Sequence, residues 1–267
     1  MAASKQQTVS VWGDKVHPTV KISGGGAPLV YLHGGYGLIE TELVDELAKN
    51  FTVYAVPHPG LTPGDEDAIK ALDDFWDLVL YYYDLFDQLG LKSPAVVGHS
   101  FGGMVAAEVA ATDPTRVGKL VLINSLGLWL DDRPIRNYIV TAQTELPGLL
   151  FHDPHHPAQK RIILNPEDQE GFIRISWALG CTGKFYWPIP DKGLKKRLHR
   201  ITAPTLLLWG MHDKLLAPAY GEEFKKGIPD AKLEIIDGAH MMPLEAPAKV
   251  AGGYRVPEIN AARAPVT

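Results

Sequence analysis

The sequence predicts a doubly wound α/β fold, in which helices cover both faces of a mostly parallel sheet. Short apolar runs bounded by glycine, proline or polar residues recur along the chain, as expected for buried parallel strands. Segments with a helical spacing of apolar residues separate these runs. From residue 127 to residue 200 the strand signal stops, and short amphipathic pieces broken by prolines replace it. We therefore predict a core formed by residues 1–126 and 201–267, with a mainly helical lid at residues 127–200.

The composition is that of a soluble protein with a substantial core. Of the 267 residues, 46% are hydrophobic and 21% are charged, and the formal net charge is -5. The Lys and Arg residues are dispersed, so no nucleic-acid partner is predicted. The single cysteine, Cys181, rules out an internal disulfide, and the polar N-terminus does not resemble a signal peptide. No apolar run reaches the roughly 20 residues of a membrane span, so we expect a cytoplasmic protein, and its oligomeric state is left open.

Strands and helices alternate in the amino-terminal third. In chain order, the predicted elements are edge strands at 8–12 and 19–22, a buried strand at 28–32, a helix at 40–49 and a strand at 51–56. A long helix from residue 65 to residue 89 follows, with Trp76 and Leu80 on its predicted buried face. Gly90 ends this helix.

The stretch that organises the chain runs from Ala95 to Met104. An apolar strand stops at Gly98, Ser100 lies between two glycines, and a helix of small residues follows at once. The Gly-x-Ser-x-Gly spacing is typical of a nucleophile elbow, a strained turn that lifts a serine hydroxyl clear of the sheet. Side chains at Gly98 or Gly102 would collide across such a turn. Ser100 is therefore the predicted nucleophile.

The second half of the core continues the alternation. Its predicted elements are strands at 119–125, 203–209 and 231–236, helices at 220–226 and 244–250, and a poorly ordered tail at 251–267. Together with the elbow strand, these strands complete the predicted sheet.

A glycine-rich loop, residues 33–37, follows the third predicted strand. Backbone amides in such a loop, at the carboxyl end of a parallel strand, can approach a ligand closely. We expect Gly35 or Tyr36 to give one N–H to an oxyanion hole and Phe101 to give the other. His33 is expected to brace this loop.

A serine nucleophile needs a base, and the base needs an orienting acid. Asp213 and His240 each follow a predicted strand, so they share with Ser100 the edge where doubly wound sheets place their sites. Their chain order, Ser…Asp…His, is the order found on such sheets. We predict Ser100 as nucleophile, Asp213 as acid and His240 as base. Weaker candidates for these roles are Asn124, Asp237, His99 and His212.

Aromatic residues are dense in the predicted lid, and some of them should line an apolar substrate pocket. The predicted pocket residues are Trp129, Tyr138, Trp177 and Trp187. The lid also carries the run His152-Asp153-Pro154-His155-His156, whose residue types suit a metal ion. Its spacing matches no metal motif, so we interpret it as a surface loop and predict neither a metal nor another cofactor.

Four motifs together resemble the α/β-hydrolase superfamily, and the resemblance covers essentially the whole chain except the lid. They are His33-Gly34-Gly35, Gly98-His99-Ser100-Phe101-Gly102-Gly103, Trp209-Gly210-Met211-His212-Asp213 and Gly238-Ala239-His240. Within the superfamily, the chain is similar to lidded esterases, cofactor-free haloperoxidases and carbon–carbon bond hydrolases of the meta-cleavage type. A serine at the elbow speaks against epoxide hydrolases and haloalkane dehalogenases, which use an aspartate there. One loop, Pro57-His58-Pro59-Gly60, departs from the usual Asp-x-x-Gly pattern.

The leading hypothesis is a serine hydrolase that cleaves a small to medium carboxylic ester with an apolar or aromatic part, through an acyl-enzyme. One alternative keeps the triad but cleaves a carbon–carbon bond next to a ketone. Another is a non-catalytic receptor that retains the pocket and the triad, and lyase chemistry of the hydroxynitrile type is a minor third option. All of them imply a small-molecule partner and no cofactor.

Overall fold

The computed structural model describes residues 4–253, and one eight-stranded sheet forms its centre. The strands are β1 (Ser4–Thr8), β2 (Thr19–Gly24), β3 (Ala27–Leu32), β4 (Phe51–Val56), β5 (Ala95–His99), β6 (Lys119–Ile123), β7 (Thr205–Gly210) and β8 (Ala231–Ile236). Their order across the sheet is β1-β2-β4-β3-β5-β6-β7-β8. β2 pairs antiparallel with β1 and β4, and the other pairs are parallel. The predicted mostly parallel sheet is confirmed.

Helices cover both faces of this sheet. They are α1 (Thr41–Leu47), α2 (Phe75–Gln88), α3 (Phe101–Thr112), α4 (Leu146–Leu150), α5 (Gln169–Tyr186), α6 (Pro218–Gly227), α7 (Met242–Glu245) and α8 (Pro247–Gly253). Side chains of α2, α3 and α6 join one apolar cluster, and side chains of α1, α7 and α8 join another. Successive residues of β5, Val96 and Val97, belong to different clusters, as alternation along a strand requires. The doubly wound fold class is therefore confirmed.

The parallel register brings four loops together at one edge of the sheet. Leu32 at the end of β3 pairs with Gly98 of β5, and Gly210 at the end of β7 pairs with Ile236 of β8. The loops that leave these strands carry the glycine-rich segment and the three predicted triad residues. The carboxyl edge of the sheet is thus where the candidate site is built.

Two predicted elements near the amino terminus are wrong. The edge strand predicted at residues 8–12 lies at Ser4–Thr8, and Trp12 turns the chain with a positive φ of 56°. The helix predicted over residues 65–89 is a 3-10 turn at Glu66–Ala71 followed by α2. Asp74 starts α2 because its side chain accepts hydrogen bonds from the backbone N–H groups of two residues in the first turn.

The face of α2 predicted to be buried is confirmed only in part, since Phe75 and Val79 are buried but Trp76 and Leu80 are not. Trp76 and Leu80 are 40% and 50% exposed, whereas Leu78, Tyr81 and Tyr82 are fully buried. The indole of Trp76 instead lies under the guanidinium of Arg197, which is 4.9 Å from the ring centroid.

The segment predicted as a lid, residues 127–200, connects β6 to β7 and contains α4, α5 and three 3-10 turns. Its side chains contact loops at the carboxyl edge of the sheet. The indole N–H of Trp177 donates to the carbonyl of Gly60 at 2.7 Å, and the hydroxyl of Thr182 donates to the carbonyl of Gly35 at 3.0 Å. We call this segment the insertion, and it contacts the loops that follow β3 and β4.

At the carboxyl end, the helix predicted at residues 244–250 is two short helices, α7 and α8. Most of the tail predicted to be poorly ordered, from residue 254 onward, lies outside the described residues. None of the helices within residues 4–253 combines the length and apolarity that a membrane span needs.

Candidate active site

Ser100 occupies the sharp turn between β5 and α3. Its φ of 53° and ψ of -114° place it in a region that residues with a side chain rarely adopt. A Cβ at Gly98 would lie 2.4 Å from the carbonyl oxygen of Gly102, and one at Gly102 would lie 2.1 Å from that of Leu32. Both glycines are therefore required by close backbone packing, as the sequence predicted.

The structure brings the three predicted triad residues into one hydrogen-bonded chain. The Nε2 of His240 lies 2.9 Å from the Oγ of Ser100, and its Nδ1 lies 2.8 Å from the Oδ2 of Asp213. All three residues are buried. Because a carboxylate only accepts, Nδ1 carries the proton of neutral His240, and Nε2 is left to accept from the Ser100 hydroxyl. The arrangement suits the transfer of a proton from Ser100 to His240.

Asp213 is held by the backbone of its own loop. Its Oδ1 accepts from the N–H groups of Leu215 and Leu216 at 2.9 and 2.7 Å, which leaves Oδ2 for His240. The weaker candidate Asp237 is exposed and contacts the Nε2 of His212 at 3.1 Å. Asp213 is thus the carboxylate that contacts the imidazole of His240.

Asn124 and His99, also named as weaker candidates, hold the backbone of His240. The carbonyl of His240 accepts from the Nδ2 of Asn124 at 3.0 Å and from the Nε2 of His99 at 2.9 Å. The same Nδ2 of Asn124 donates to the carbonyl of Ala239, and its Oδ1 accepts from the N–H of Gly210. These contacts fix the loop that presents the imidazole.

Glu40, a residue to which the sequence analysis gave no role, completes the group behind His240. Its Oε1 lies 3.0 Å from the Nδ1 of His99, and both side chains are 1% exposed. The Nε2 of His99 carries a proton, because it donates to the carbonyl of His240. The contact between the Nδ1 of His99 and the Oε1 of Glu40 is therefore a hydrogen bond only if a second proton lies between these two atoms. Burial would raise the pKa of Glu40, but its hydrogen bond with His99 and the neighbouring imidazoles of His99 and His33 hold that pKa below its usual range.

His33 and His58 brace the glycine-rich loop, and their hydrogen bonds fix both tautomers. The Nε2 of His33 accepts from the N–H of His58 at 3.1 Å, so its Nδ1 carries the proton and donates to the carbonyl of Gly34 at 2.7 Å. The Nε2 of His58 donates to the carbonyl of His33 at 3.0 Å, and its Nδ1 accepts from the hydroxyl of Tyr82. Burial lowers the pKa of His33 to about 3 and that of His58 to about 4. Both rings are therefore neutral near pH 7.

Of the predicted oxyanion donors, Phe101 directly follows Ser100, and Gly35 and Tyr36 line the cavity next to it. Phe101 is the first residue of α3, where backbone N–H groups have no acceptor within the helix. The carbonyl of Gly35 accepts a hydrogen bond from the hydroxyl of Thr182. This carbonyl and the N–H of Tyr36 belong to the same trans peptide and point in opposite directions, so the bond also fixes the direction of that N–H. The insertion thereby contributes to the geometry of the glycine-rich loop.

A small cavity of about 10 Å³ adjoins Ser100. Its lining residues are Gly34, Gly35, Tyr36, Glu40, His99, Ser100, Tyr138, Leu150, Leu215, His240 and Met241. Tyr138, one of the predicted pocket residues, lines the cavity from the insertion. Its hydroxyl is hydrogen-bonded to that of Tyr186 and lies so close to Gly35 that a Cβ there would be 2.2 Å away.

The other three predicted pocket residues do not line this cavity. Trp177 lines a separate groove of about 600 Å³, which shares Tyr36 with the Ser100 cavity. Trp129 donates its indole N–H to Asp131, and Trp187, just after α5, is 45% exposed. Their assignment to the substrate pocket stays a prediction, because aromatic density does not tell which side of a helical segment faces the sheet.

One cluster within residues 4–253 has ligand types suited to a metal ion. Ligand atoms of His152, His212 and Asp237 lie within 4.8 Å of one another at the surface, and Lys249 lies 3.7 Å from Asp237. Of the predicted surface loop at residues 152–156, only His152 belongs to the cluster. None of its three residues lines the Ser100 cavity.

Sequence reasoning missed Glu40, His58 and Thr182 as parts of the site. Glu40 lies three residues after the glycine-rich loop, but Glu42 follows it closely, so the sequence alone gives only a weak signal for it. His58 lies in the loop that departs from the superfamily pattern. No local pattern distinguishes Thr182 from other polar residues of α5.

Comparison with known proteins places the chain among related sequences. The profile of the alpha/beta hydrolase family matches residues 29–252. A dihydrolipoyllysine-residue acetyltransferase component of an acetoin cleaving system from Cupriavidus necator is 28% identical over 257 residues, which cover 91% of this chain and 66% of that protein. The chain covers 62% of the corresponding component from Pseudomonas putida, so it spans somewhat less than two thirds of each of these relatives.

A further relative and a solved structure of similar fold are named for different reactions. A pimeloyl-[acyl-carrier protein] methyl ester esterase from Vibrio campbellii is 32% identical over 237 residues, covering 82% of this chain and 89% of that protein. The solved structure of a 2-hydroxy-6-oxo-6-phenylhexa-2,4-dienoate hydrolase from a Rhodococcus species has a TM-score of 0.72 at 19% identity, covering 98% of this chain and all of that chain (100%). The fold, the strand-end site and the match to the family profile lead to one conclusion: the chain belongs to the alpha/beta hydrolase family.

Proposed function

We propose that this protein is a serine hydrolase that cleaves a small to medium carboxylic ester with an apolar or aromatic part. The observation that carries the proposal is the buried chain from Ser100 through His240 to Asp213, with contacts of 2.9 and 2.8 Å. A neutral imidazole oriented by a carboxylate is the group that can take a serine proton at neutral pH. The esterase from Vibrio campbellii, at 32% identity, supports the same reaction class.

In the proposed reaction, His240 takes the proton of Ser100 as its Oγ attacks the ester carbonyl. The carbonyl oxygen becomes an oxyanion, which accepts from the N–H of Phe101 and from that of Gly35 or Tyr36. His240 then gives its proton to the leaving alcohol, and an acyl-Ser100 remains. Water hydrolyses this acyl-enzyme with His240 again acting as base.

The residues around Ser100 favour a neutral ester over an anionic substrate. The lining of the cavity contains the carboxylate of Glu40 but neither lysine nor arginine among the described residues. An ester group is larger than the present cavity of about 10 Å³, so side chains that line the cavity must move before a substrate enters. We assign the apolar part of the substrate to the groove of about 600 Å³ that shares Tyr36 and is lined by Trp177.

Carbon–carbon bond hydrolysis is the second candidate, since the dienoate hydrolase shares the fold. A dienoate carries a carboxylate, and a cation near Ser100 would be expected to bind it. The carboxylate of Glu40 stands in that lining instead, which favours the ester. A panel of p-nitrophenyl esters and vinylogous diketones separates the two: the esters should be turned over far faster.

The decisive experiment compares the wild type with Ser100→Ala on a p-nitrophenyl ester and with a fluorophosphonate probe. Ser100→Ala should lose several orders of magnitude in kcat, the usual scale for a triad nucleophile. Ser125→Ala is the matched control, because Ser125 is also buried next to the elbow but donates to the carbonyl of Leu126. Full turnover by Ser100→Ala would refute the proposal, and a wild type that neither turns over esters nor reacts with the probe would favour a receptor.

The proposal also includes the setting of the reaction. The one cysteine, Cys181, is a buried free thiol, which is compatible with a reducing cytoplasm. The substrate is a small molecule, and the chemistry needs no cofactor.

A further inference from the structure

Two buried polar groups in the Ser100 cavity have no hydrogen-bond partner within residues 4–253. They are the Oε2 of Glu40, a residue that is 1% exposed, and the hydroxyl of Tyr36, a residue that is 5% exposed. Both residues line the cavity next to Ser100 and His240. Leaving a buried polar group unpaired is unfavourable, so two of them lining one cavity indicate a bound polar species.

The hydrogen-bonding role of each group follows from its surroundings. One proton lies between Glu40 Oε1 and His99 Nδ1, and whichever atom holds it, Oε2 carries none and can only accept. Burial raises the pKa of Tyr36 well above 10, so its hydroxyl keeps its proton and can donate. The species that satisfies both groups must therefore accept one hydrogen bond and donate another.

The size of the cavity selects among such species. Its volume of about 10 Å³ is close to the roughly 10–15 Å³ that one water needs, and a water also needs two to four polar partners. A water here would have Tyr36 as donor, Glu40 as acceptor and His240 within the same lining. A substrate hydroxyl offers the same chemistry, but the present cavity has no room for the substrate that would carry it.

We propose that Glu40 and Tyr36 hold the water that hydrolyses the acyl-enzyme. This inference rests on the proposed function, since it concerns the second half of the same reaction. A water molecule has two protons and two lone pairs. Here it would donate one hydrogen bond to Glu40 and one to His240, and one lone pair would accept from Tyr36. One lone pair remains, and it is free to attack the acyl carbon.

The step balances without any further reactant. The water oxygen bonds to the acyl carbon as one of its protons passes to the Nε2 of His240, and the carbonyl oxygen becomes an oxyanion. The oxyanion then collapses, the bond from the acyl carbon to Ser100 Oγ breaks, and His240 returns the proton to that oxygen. The products are a carboxylic acid and free Ser100, while Glu40 accepts a hydrogen bond throughout and exchanges no proton.

The test separates acylation from deacylation on the same protein. The burst of p-nitrophenol gives the acylation rate, and intact-mass spectrometry after stoichiometric acylation follows the decay of the acyl-enzyme. In Tyr36→Phe and Glu40→Leu, the decay should slow at least about tenfold, the loss of one hydrogen bond to a charged or reacting group. The burst should slow at least about threefold less than the decay in both variants, because the water takes part in deacylation alone, whereas any loss of support for His240 through His99 slows both steps.

Two variants sharpen the interpretation. Glu40→Gln can place its amide nitrogen against His99 and its amide oxygen where Oε2 was, so its decay should slow less than that of Glu40→Leu. Tyr81→Phe removes another buried hydroxyl without a partner, but Tyr81 does not line the cavity, and both rates should match the wild type. Because the burst itself requires a folded active site, a misfolded variant is recognised by its missing burst.

Three results would overturn the inference. The acyl-enzyme could decay at the wild-type rate in both Tyr36→Phe and Glu40→Leu, or the burst and the decay could slow by the same factor, which indicates a structural role alone. The effect could also be confined to esters with a hydroxyl near the carbonyl, which identifies a substrate group as the ligand. Failure of the proposed function looks different, because the wild type would then form no acyl-enzyme on Ser100.

Discussion

Acid should destabilise this protein through the buried histidines under the glycine-rich loop. Burial lowers the pKa of His33 to about 3, with the neighbouring His58 adding to the effect, and lowers that of His58 to about 4. In the unfolded chain both groups titrate near about 6.5. Each ring already uses one nitrogen as an acceptor, so protonation in the folded state would break a hydrogen bond.

The sign and the size of the effect follow from these values. Below pH 6.5 the unfolded chain binds protons that the folded protein does not, so the free energy of unfolding falls as the pH falls, until the folded pKa is reached. At pH 5, which lies 1.5 pH units below 6.5, each histidine costs about 2 kcal/mol, because one pH unit corresponds to about 1.4 kcal/mol. The two histidines together should remove about 4 kcal/mol between pH 7 and pH 5, a large part of the stability of an ordinary domain.

Urea unfolding followed by tryptophan fluorescence at pH 7, 6 and 5 measures this loss. His58→Gln keeps a donor for the carbonyl of His33 and an acceptor for Tyr82 but cannot titrate. Its loss between pH 7 and pH 5 should be at least about 2 kcal/mol smaller than that of the wild type. His155→Gln, which changes an exposed histidine elsewhere, should follow the wild type. If His58→Gln lost as much stability as the wild type over this range, the reasoning would be refuted.

Three further outcomes are expected. Gly102→Ala should cost about 3 kcal/mol or more or prevent folding, since its Cβ would lie 2.1 Å from the Leu32 carbonyl, whereas Gly148→Ala, with nothing within 4 Å, should change the midpoint of thermal unfolding little. Asn124→Ala should lower kcat by about tenfold or more with little change in KM, because the loop that carries His240 loses its support; wild-type steady-state kinetics would contradict this. Dialysis against EDTA should leave ester turnover unchanged, and a loss restored by Zn²⁺ would contradict a metal-free mechanism.

The sheet could be predicted from the sequence because its strands are short, apolar and bounded by breakers. The predicted strand at 51–56 and the predicted strand at 231–236 agree with β4 and β8 residue for residue. The single helix predicted at 65–89 is wrong because periodicity alone ignored the capping side chain of Asp74, which starts α2. A local hydrogen bond decided that boundary, and hydrophobic periodicity does not report such bonds.

In the candidate site, the triad residues could be predicted from the sequence, but the residues that support them could not. Ser100, Asp213 and His240 could be found because each lies at the end of a predicted strand, where the fold itself determines position. Glu40 and Thr182 could not be found, because their roles depend on contacts between segments far apart in the chain: Glu40 with His99 and Thr182 with Gly35. Sequence spacing carries no information about such pairings.

Four buried histidines lie around the site, and they differ in the hydrogen-bond partners of their ring nitrogens. His33, His58, His99 and His240 are all buried, so burial does not single out a base among them. In His33 and His58 the acceptor nitrogen receives a hydrogen bond from a backbone N–H or a tyrosine, and the Nε2 of His99 faces a carbonyl. Of the four, His240 alone places its acceptor nitrogen against a serine hydroxyl while a carboxylate holds its other nitrogen. The partner of each ring nitrogen, and not the residue type, therefore separates His240, the proposed base, from the other three histidines.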